Sequence, residues 1–322
     1  MDKNAHIYVA GHRGLVGSAL VRALERQGHE RILHRTSREL DLRDALAVRE
    51  FFDKEQVDYV FLAAAKVGGI GANYDYPADF IRDNLLIQTN VIEAAYRTGV
   101  RKLMFLGSTC IYPKMAPQPL REDSLLTGTL EPTNEPYAIA KIAGIKMCQA
   151  YNRQFGTRFI SVMPTNLYGP NDNFDIESSH VLPALIRKFH DAKRDRAPYV
   201  TLWGTGTPRR EFLHVDDMAD ACLFLMDRYE DSDIVNIGWG EDIPIAGLAE
   251  LVKSIVGYEG EIRYDSNRPD GTPRKLVDVS KLSGLGWKAS IPLEAGLRET
   301  YSWYVRHSAE APELTGLQGR LG

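Results

Sequence analysis

Apolar residues in this chain follow two rhythms: short continuous runs, and longer stretches in which they recur every three or four positions. The runs His6–Ala10, Arg31–His34, Val57–Ala65, Lys102–Gly107 and Phe159–Met163 predict strands, those from Val57 onward buried on both faces. Between them Ser18–Gln27, Asp44–Lys54, Asp79–Thr98 and a segment from Pro136 to about Phe155 predict helices. Strand alternating with helix is the pattern of a doubly wound parallel sheet. The regular order lapses near Asn166, and a later segment, Arg210–Asp217, is expected to return to the sheet with Asp216 or Asp217 capping the next helix. The expected fold is α/β: a Rossmann-like doubly wound parallel sheet formed by residues 1–166 with a return segment of about 211–238. Residues 167–210 and 239–322 are expected to form a smaller α/β substrate domain, and the tail from about Ala309 to be loosely ordered.

The first strand runs into Gly11-His-Arg-Gly14-Leu-Val-Gly17 and then directly into a helix. In that setting glycines allow a tight turn and close backbone approach, and the helix N-terminus faces a pyrophosphate, so a dinucleotide is expected here. NAD enzymes usually carry an acidic residue just past the second strand, for the ribose 2′-hydroxyl. Here Arg35 and Arg38 stand there, with Arg13 in the turn itself. Guanidinium groups suit a 2′-phosphate, which favours NADP(H). Asp41 and Leu42 are placed to line the adenine, and the small residues closing the third strand let a cofactor approach.

The fourth run stops abruptly at Gly107-Ser-Thr-Cys110, a polar end to a buried strand. Ligands of open α/β sheets bind at such carboxyl ends. Tyr137 and Lys141 lie four apart and so share one helix face. A phenol titrates near ~10 unless its anion is stabilised, which an ammonium does. Ser108 can hydrogen-bond a carbonyl oxygen as charge develops on it. The Tyr-x-x-x-Lys spacing is common on surface helices; its partners make it a site.

Composition narrows the field. The chain has 322 residues, 44% apolar and 25% charged, with a net charge of −4, which gives no support to binding nucleic acid or an anionic membrane. Its three cysteines, Cys110, Cys148 and Cys222, include no C-x-x-C pair, which argues against a disulfide framework or structural zinc and fits a reducing cytoplasm. Cys148 reads as an inert core residue. His214 with Asp216 and Asp217 lacks the further ligands a metal would need. The N-terminus has no signal-peptide shape and no apolar run is long enough to span a bilayer.

Seven segments carry a resemblance to the extended short-chain dehydrogenase/reductase family. They are Ala10-Gly-His-Arg-Gly-Leu-Val-Gly17, Ala64-Ala-Lys-Val-Gly-Gly69, Gly107-Ser-Thr-Cys-Ile-Tyr-Pro113, Leu130-Glu-Pro-Thr-Asn-Glu-Pro-Tyr-Ala-Ile-Ala-Lys141, Met163-Pro-Thr-Asn-Leu-Tyr-Gly-Pro170, Gly206-Thr-Pro-Arg-Arg-Glu-Phe-Leu-His214 and Pro269-Asp-Gly-Thr-Pro-Arg-Lys275. The likeness covers nearly the whole chain and weakens in the last dozen residues and around Tyr229–Asp233. Within the family the chain is most similar to enzymes that epimerise GDP-4-keto-6-deoxy-D-mannose at C3 and C5 and reduce its C4 ketone with NADPH, giving GDP-L-fucose.

The resemblance implies that Cys110 is the base and His180 the acid of the inversions, with Ser108, Tyr137 and Lys141 serving the C4 oxygen. It implies cofactor contacts at Gly11, Arg13, Gly14, Leu15, Val16 and Gly17, at Arg35, Arg38, Asp41 and Leu42, and at Ala64, Leu106 and Gly107. Further cofactor contacts are implied at Tyr137, Lys141, Pro164, Asn166, Leu167 and His180, and substrate contacts at Lys188, Trp203, Arg210 and Asp270. Lys188 stands where some relatives have arginine, so a bidentate phosphate contact is not implied there. A homodimer is implied, with Asp79–Thr98 and the Tyr137 helix as the candidate surface. A nucleotide-sugar 4,6-dehydratase would need carboxylates after Ser108, where this chain has Thr109 and Cys110. The basic pocket disfavours a 4-epimerase with tightly held NAD, and the full set of reactive side chains disfavours a non-catalytic NADP(H) sensor.

Overall fold

A computed structural model describes residues 1–176, 178–267 and 270–310. The chain opens with β1 (Ile7–Ala10), α1 (Leu15–Arg26), the short β2 (Ile32–Leu33), α2 (Ala45–Glu55) and β3 (Tyr59–Leu62). There follow α3 (Ile70–Asp75), α4 (Pro77–Arg97), β4 (Lys102–Leu106), α5 (Glu135–Phe155) and β5 (Phe159–Pro164). Helix α1 starts three residues before the expected Ser18, because Gly14 is still extended and Leu15 and Val16 already belong to the helix. Asp44 caps α2 by accepting from the amides of Leu46 and Ala47. The short α3 was not expected from the small residues around Gly68 and Gly69.

Past β5 come β6 (Asn166–Tyr168), α6 (Val181–Arg194), β7 (Tyr199–Trp203), β8 (Arg209–His214), α7 (Val215–Arg228) and β9 (Val235–Ile237). The chain closes with β10 (Asp242–Pro244), α8 (Ile245–Val256), β11 (Glu261–Asp265), β12 (Arg274–Lys275), α9 (Ser280–Gly284) and α10 (Leu293–Glu310). The expected loose tail beyond Glu310 lies outside the described residues. Among the described residues no helix is long and apolar enough to cross a membrane.

Six strands form the central sheet in the order β2-β1-β3-β4-β5-β9, every neighbouring pair parallel. Side chains alternate across it. Leu103 and Phe105 of β4 pack with Val91 and Ile92 of α4 and Ile142 and Ile145 of α5. Met104 and Leu106 face the other way, with Leu20 of α1 and Met218 and Leu225 of α7. A separate core, including Leu185, Phe189, Val200, Phe212, Leu248 and Val252, holds the second half together.

Two expectations are corrected here. Segment 210–217 does not rejoin the large sheet: β8 lies between β10 and β12 in a smaller sheet and also pairs with β6. The strand that does return is β9, fully buried beside β5, where the charged run Arg209-Arg210-Glu211 would be costly to bury. Nor is α7 capped by an aspartate. The His214 ring nitrogen accepts from the Asp216 amide at 3.3 Å. Asp216 instead pairs with Arg22 at 2.7 Å, and Asp217 accepts from Ser290 and Ile291.

Candidate active site

The reactive groups meet where β4 ends. After Leu106 the chain enters a single 3₁₀ turn, Thr109–Ile111, capped by the Ser108 hydroxyl, which accepts from the Cys110 amide at 3.4 Å. The turn swings the Cys110 thiol back over its own cap, and Sγ lies 2.9 Å from Ser108 Oγ. Helix α5 presses on β4 closely enough that a Cβ on Gly144 would come within 2.4 Å of the Phe105 ring. That contact lowers the first turns of α5, carrying Tyr137 and Lys141, onto the strand end.

Lys141 is buried, and its ammonium donates to the Leu106 carbonyl at 2.8 Å while lying 5.7 Å from the centre of the Tyr137 ring. Burial pulls its pKa down to about 8, and the Cys110 sulfur opposes that fall. Burial first and then Cys110 push the Tyr137 phenol above the ordinary value, and a hydrogen bond with Ser108 only partly offsets them. A pKa raised in this way favours the protonated phenol, which can give a proton.

His180 is the residue immediately before α6. Its loop is stitched to the start of α3: the Gly69 amide donates to the Ser178 carbonyl at 3.1 Å. His180 keeps an exposed edge, and partial desolvation, then the charge on Lys275, hold the imidazole below its usual pKa. Lys275 also interacts electrostatically with Cys110, so one ammonium lies within reach of both the sulfur and the imidazole. Burial is the main cause of its depressed pKa; Arg210 pushes in the same direction, while Cys110 and Glu131 oppose. Lys275 closes the last of the seven resembling segments, and the resemblance implies no role for it. The signal that could have found it is the parallel register of β12 with β8, Lys275 opposite Arg210, which a single sequence does not reveal.

The other expected substrate contacts come from the second half. Lys188 on α6 lies 5.7 Å from the centre of the exposed Trp203 ring, and burial lowers its pKa. Arg210 donates to the Thr272 carbonyl at 2.6 Å. Asp270 accepts from the Thr205 amide and hydroxyl, at 2.9 and 2.7 Å, and so fixes the loop after Trp203. Beneath them Glu211, fully buried, accepts from the amides of Gly240 and Val277 at 2.7 and 3.0 Å. Further hydrogen bonds from Trp239 and Thr165 reach the same carboxylate. It ties the end of the large sheet to the strand that carries Lys275, a role the sequence did not suggest.

A dinucleotide fits the remaining strand ends. Gly11 has φ +85, a left-handed conformation that favours glycine. No side chain caps α1 and its first turn holds no acid, so the amides after Gly14 are open to an anion. Ala64 just past β3, Leu106 and Gly107 at the end of β4, Pro164 at the end of β5 and Asn166 and Leu167 at the start of β6 follow the same edge. Arg13 and Arg38 are exposed beside it. Arg35 is turned toward Glu55 at 2.9 Å, Asp41 is clamped by Arg43, and Leu42 is in the core. Among the described residues no group of three His, Cys, Asp or Glu side chains could hold a metal.

Residues 7–238 match the NAD dependent epimerase/dehydratase family. The chain is 62% identical to "GDP-L-fucose synthase 1" of Arabidopsis thaliana over 95% of each chain. It is 55% identical to "GDP-L-fucose synthase" of Escherichia coli (strain K12), over 94% of this chain and 97% of that one. Among solved structures, a GDP-L-fucose synthetase from Naegleria fowleri bound to NADP superimposes with a TM-score of 0.90 at 28% identity, covering 97% of this chain and 98% of that one.

Proposed function

This chain belongs to the NAD dependent epimerase/dehydratase family, and we propose that it epimerises GDP-4-keto-6-deoxy-D-mannose at C3 and C5 and reduces the C4 ketone with NADPH to give GDP-L-fucose. The observation that carries this reading is the convergence of a thiol, a hydroxyl, a phenol and two lysine ammonium groups, one buried and one half-buried, at the end of β4. A pure reductase needs the phenol and the lysine; it has no use for a thiol against the serine cap.

The C4 ketone makes the protons on C3 and C5 acidic, and inversion requires removal from one face and return to the other. In this assignment the Cys110 sulfur removes the proton and His180 returns one. The lowered pKa of His180 makes its protonated form a stronger acid. Ser108 and Tyr137 donate to the C4 oxygen while it carries enolate charge. NADPH supplies hydride to C4. Tyr137 then delivers its proton to the C4 oxygen, and the Lys141 ammonium lowers the cost of the phenolate that remains.

Lys188 and Arg210 would meet the substrate's pyrophosphate, Trp203 would pack on the sugar or base, and Asp270 holds that loop. The glycine turn and the other expected cofactor residues would hold NADP(H), with Arg13 and Arg38 nearest the 2′-phosphate. We further assign the working form as a cytoplasmic homodimer packed through α4 and α5, with neither nucleic acid nor membrane as a partner. Incubating the purified protein with GDP-4-keto-6-deoxy-D-mannose and NADPH tests the assignment. One NADPH oxidised per GDP-L-fucose formed supports it; reduction at C4 without inversion would leave a reductase only.

A further inference from the structure

At the far end of the cofactor edge from the reacting groups, two imidazoles lie face to face. His12 is the second residue of the glycine turn, and His34 follows β2 directly. The parallel register of β1 and β2, with Tyr8 opposite Leu33, brings the two chain ends out side by side. The rings stack with centroids 4.4 Å apart and planes inclined by 22°. This is the place where a dinucleotide fold reads the adenosine ribose.

Among the described residues, charged groups near the pair come from two segments. From the glycine turn comes Arg13, and from the segment after β2 come Arg35, Arg38 and Glu39. Arg35 is bound to Glu55 of α2 and lies over the Phe51 ring, 5.3 Å from its centre. Glu39 is fixed by the Thr36 amide and hydroxyl at 2.7 and 2.8 Å, and interacts electrostatically with Arg13, Arg35 and His12. A 2′-phosphate would bring close to two negative charges into a pocket where one arginine is already paired and one carboxylate is already present. Further positive charge has a local source in the imidazoles.

We propose that the stacked His12–His34 pair belongs to the specificity site for the cofactor's 2′-phosphate, taking up a proton as that phosphate binds, so that the preference for NADP(H) over NAD(H) strengthens as pH falls. The proposal rests on the NADP(H) assignment above. In the free protein burial, then His34, then Arg13 hold His12 below its ordinary pKa, and Glu39 opposes them. Stacked neighbours resist sharing a second positive charge, and a phosphate dianion removes that resistance. The sign follows: a group neutral when free and protonated when bound makes binding tighter at lower pH, between its free and bound pKa values. The proton comes from solvent and goes to an imidazole nitrogen, with no other bond changed.

The test is titration calorimetry of the full chain with 2′,5′-ADP, and with 5′-AMP as the control lacking the 2′-phosphate. Each is run at pH 7.5 in two buffers of different ionisation enthalpy. A phosphate monoester is almost fully dianionic there, its second pKa being about 6, so proton uptake reports the protein. The expected result is uptake of about half a proton with 2′,5′-ADP and little with 5′-AMP, equivalent to roughly a threefold gain in affinity per pH unit toward acid. His34→Gln and, separately, His12→Gln should each abolish most of the uptake while 2′,5′-ADP still binds. Binding with no uptake in the unaltered protein, or uptake unchanged in both variants, would overturn the histidine assignment alone. Failure of 2′,5′-ADP to bind better than 5′-AMP at any pH would overturn the NADP(H) assignment with it.

Discussion

Lys141→Met should make the protein more stable at neutral pH while abolishing its chemistry. Lys141 is 3% exposed, and burial lowers its pKa from 10.5 to about 8. Holding the ammonium in that place at pH 7 therefore costs roughly 3 kcal/mol relative to the unfolded chain. Methionine matches the length of the stem, fits against Phe105 and carries no charge. It forfeits the bond to the Leu106 carbonyl, worth about 1 kcal/mol, so the net gain is about 2 kcal/mol at pH 7. The sign of the pH dependence follows from the lowered folded pKa. Between about 8 and 10.5 the unfolded lysine is protonated and the folded one is not, so the unaltered protein gains stability as pH rises through that window. The advantage of the variant should shrink across the same window and turn into a deficit of about 1 kcal/mol at its upper end, where only the lost hydrogen bond remains. Urea unfolding at pH 7 and pH 10, read as a change of midpoint at constant slope, measures both quantities. A variant less stable at pH 7, or a difference that does not move with pH, would refute the reasoning.

Three further outcomes follow from the same geometry. The alkaline limb of kcat/KM should fall with an apparent pKa near 8 as Lys141 loses its proton; Lys141→Arg, which keeps its charge, should move that limb above the measured range. Glu211→Gln turns an amide toward four donors that now meet a carboxylate, and should cost about 3 kcal/mol in unfolding experiments. Gly144→Leu should prevent soluble expression or lower the melting temperature sharply, since its first carbon would already overlap the Phe105 ring.

Much of this was legible in the chain because the relevant signals are local. The runs ending at Ala10, Ala65 and Gly107 hold buried strands, the last two closing at Leu62 and Leu106, Asp44 sits at a helix start, and Tyr137 and Lys141 lie on one helix, as their spacing implies. What was missed depends on pairing across long sequence separations. Segment 210–217 reads as a sheet strand by composition, but the edge of β5 is filled by the more apolar Val235–Ile237. Lys275 and Glu211 acquire meaning only when β12 lies beside β8, more than sixty residues earlier. The upward push on the Tyr137 pKa was also out of reach, because it depends on how deeply α5 sinks and on the nearness of Cys110.

The central claim is that one pocket uses the sulfur of Cys110 for inversion and the phenol of Tyr137 for reduction. Proton NMR of GDP-4-keto-6-deoxy-D-mannose in deuterated buffer, with enzyme and without NADPH, measures the first step alone. The account predicts that the unaltered protein exchanges the C3 and C5 protons with solvent, and that Cys110→Ser loses nearly all exchange at both carbons while binding NADPH with unchanged affinity. Exchange at the full rate in Cys110→Ser would contradict it and remove the thiol from the reaction.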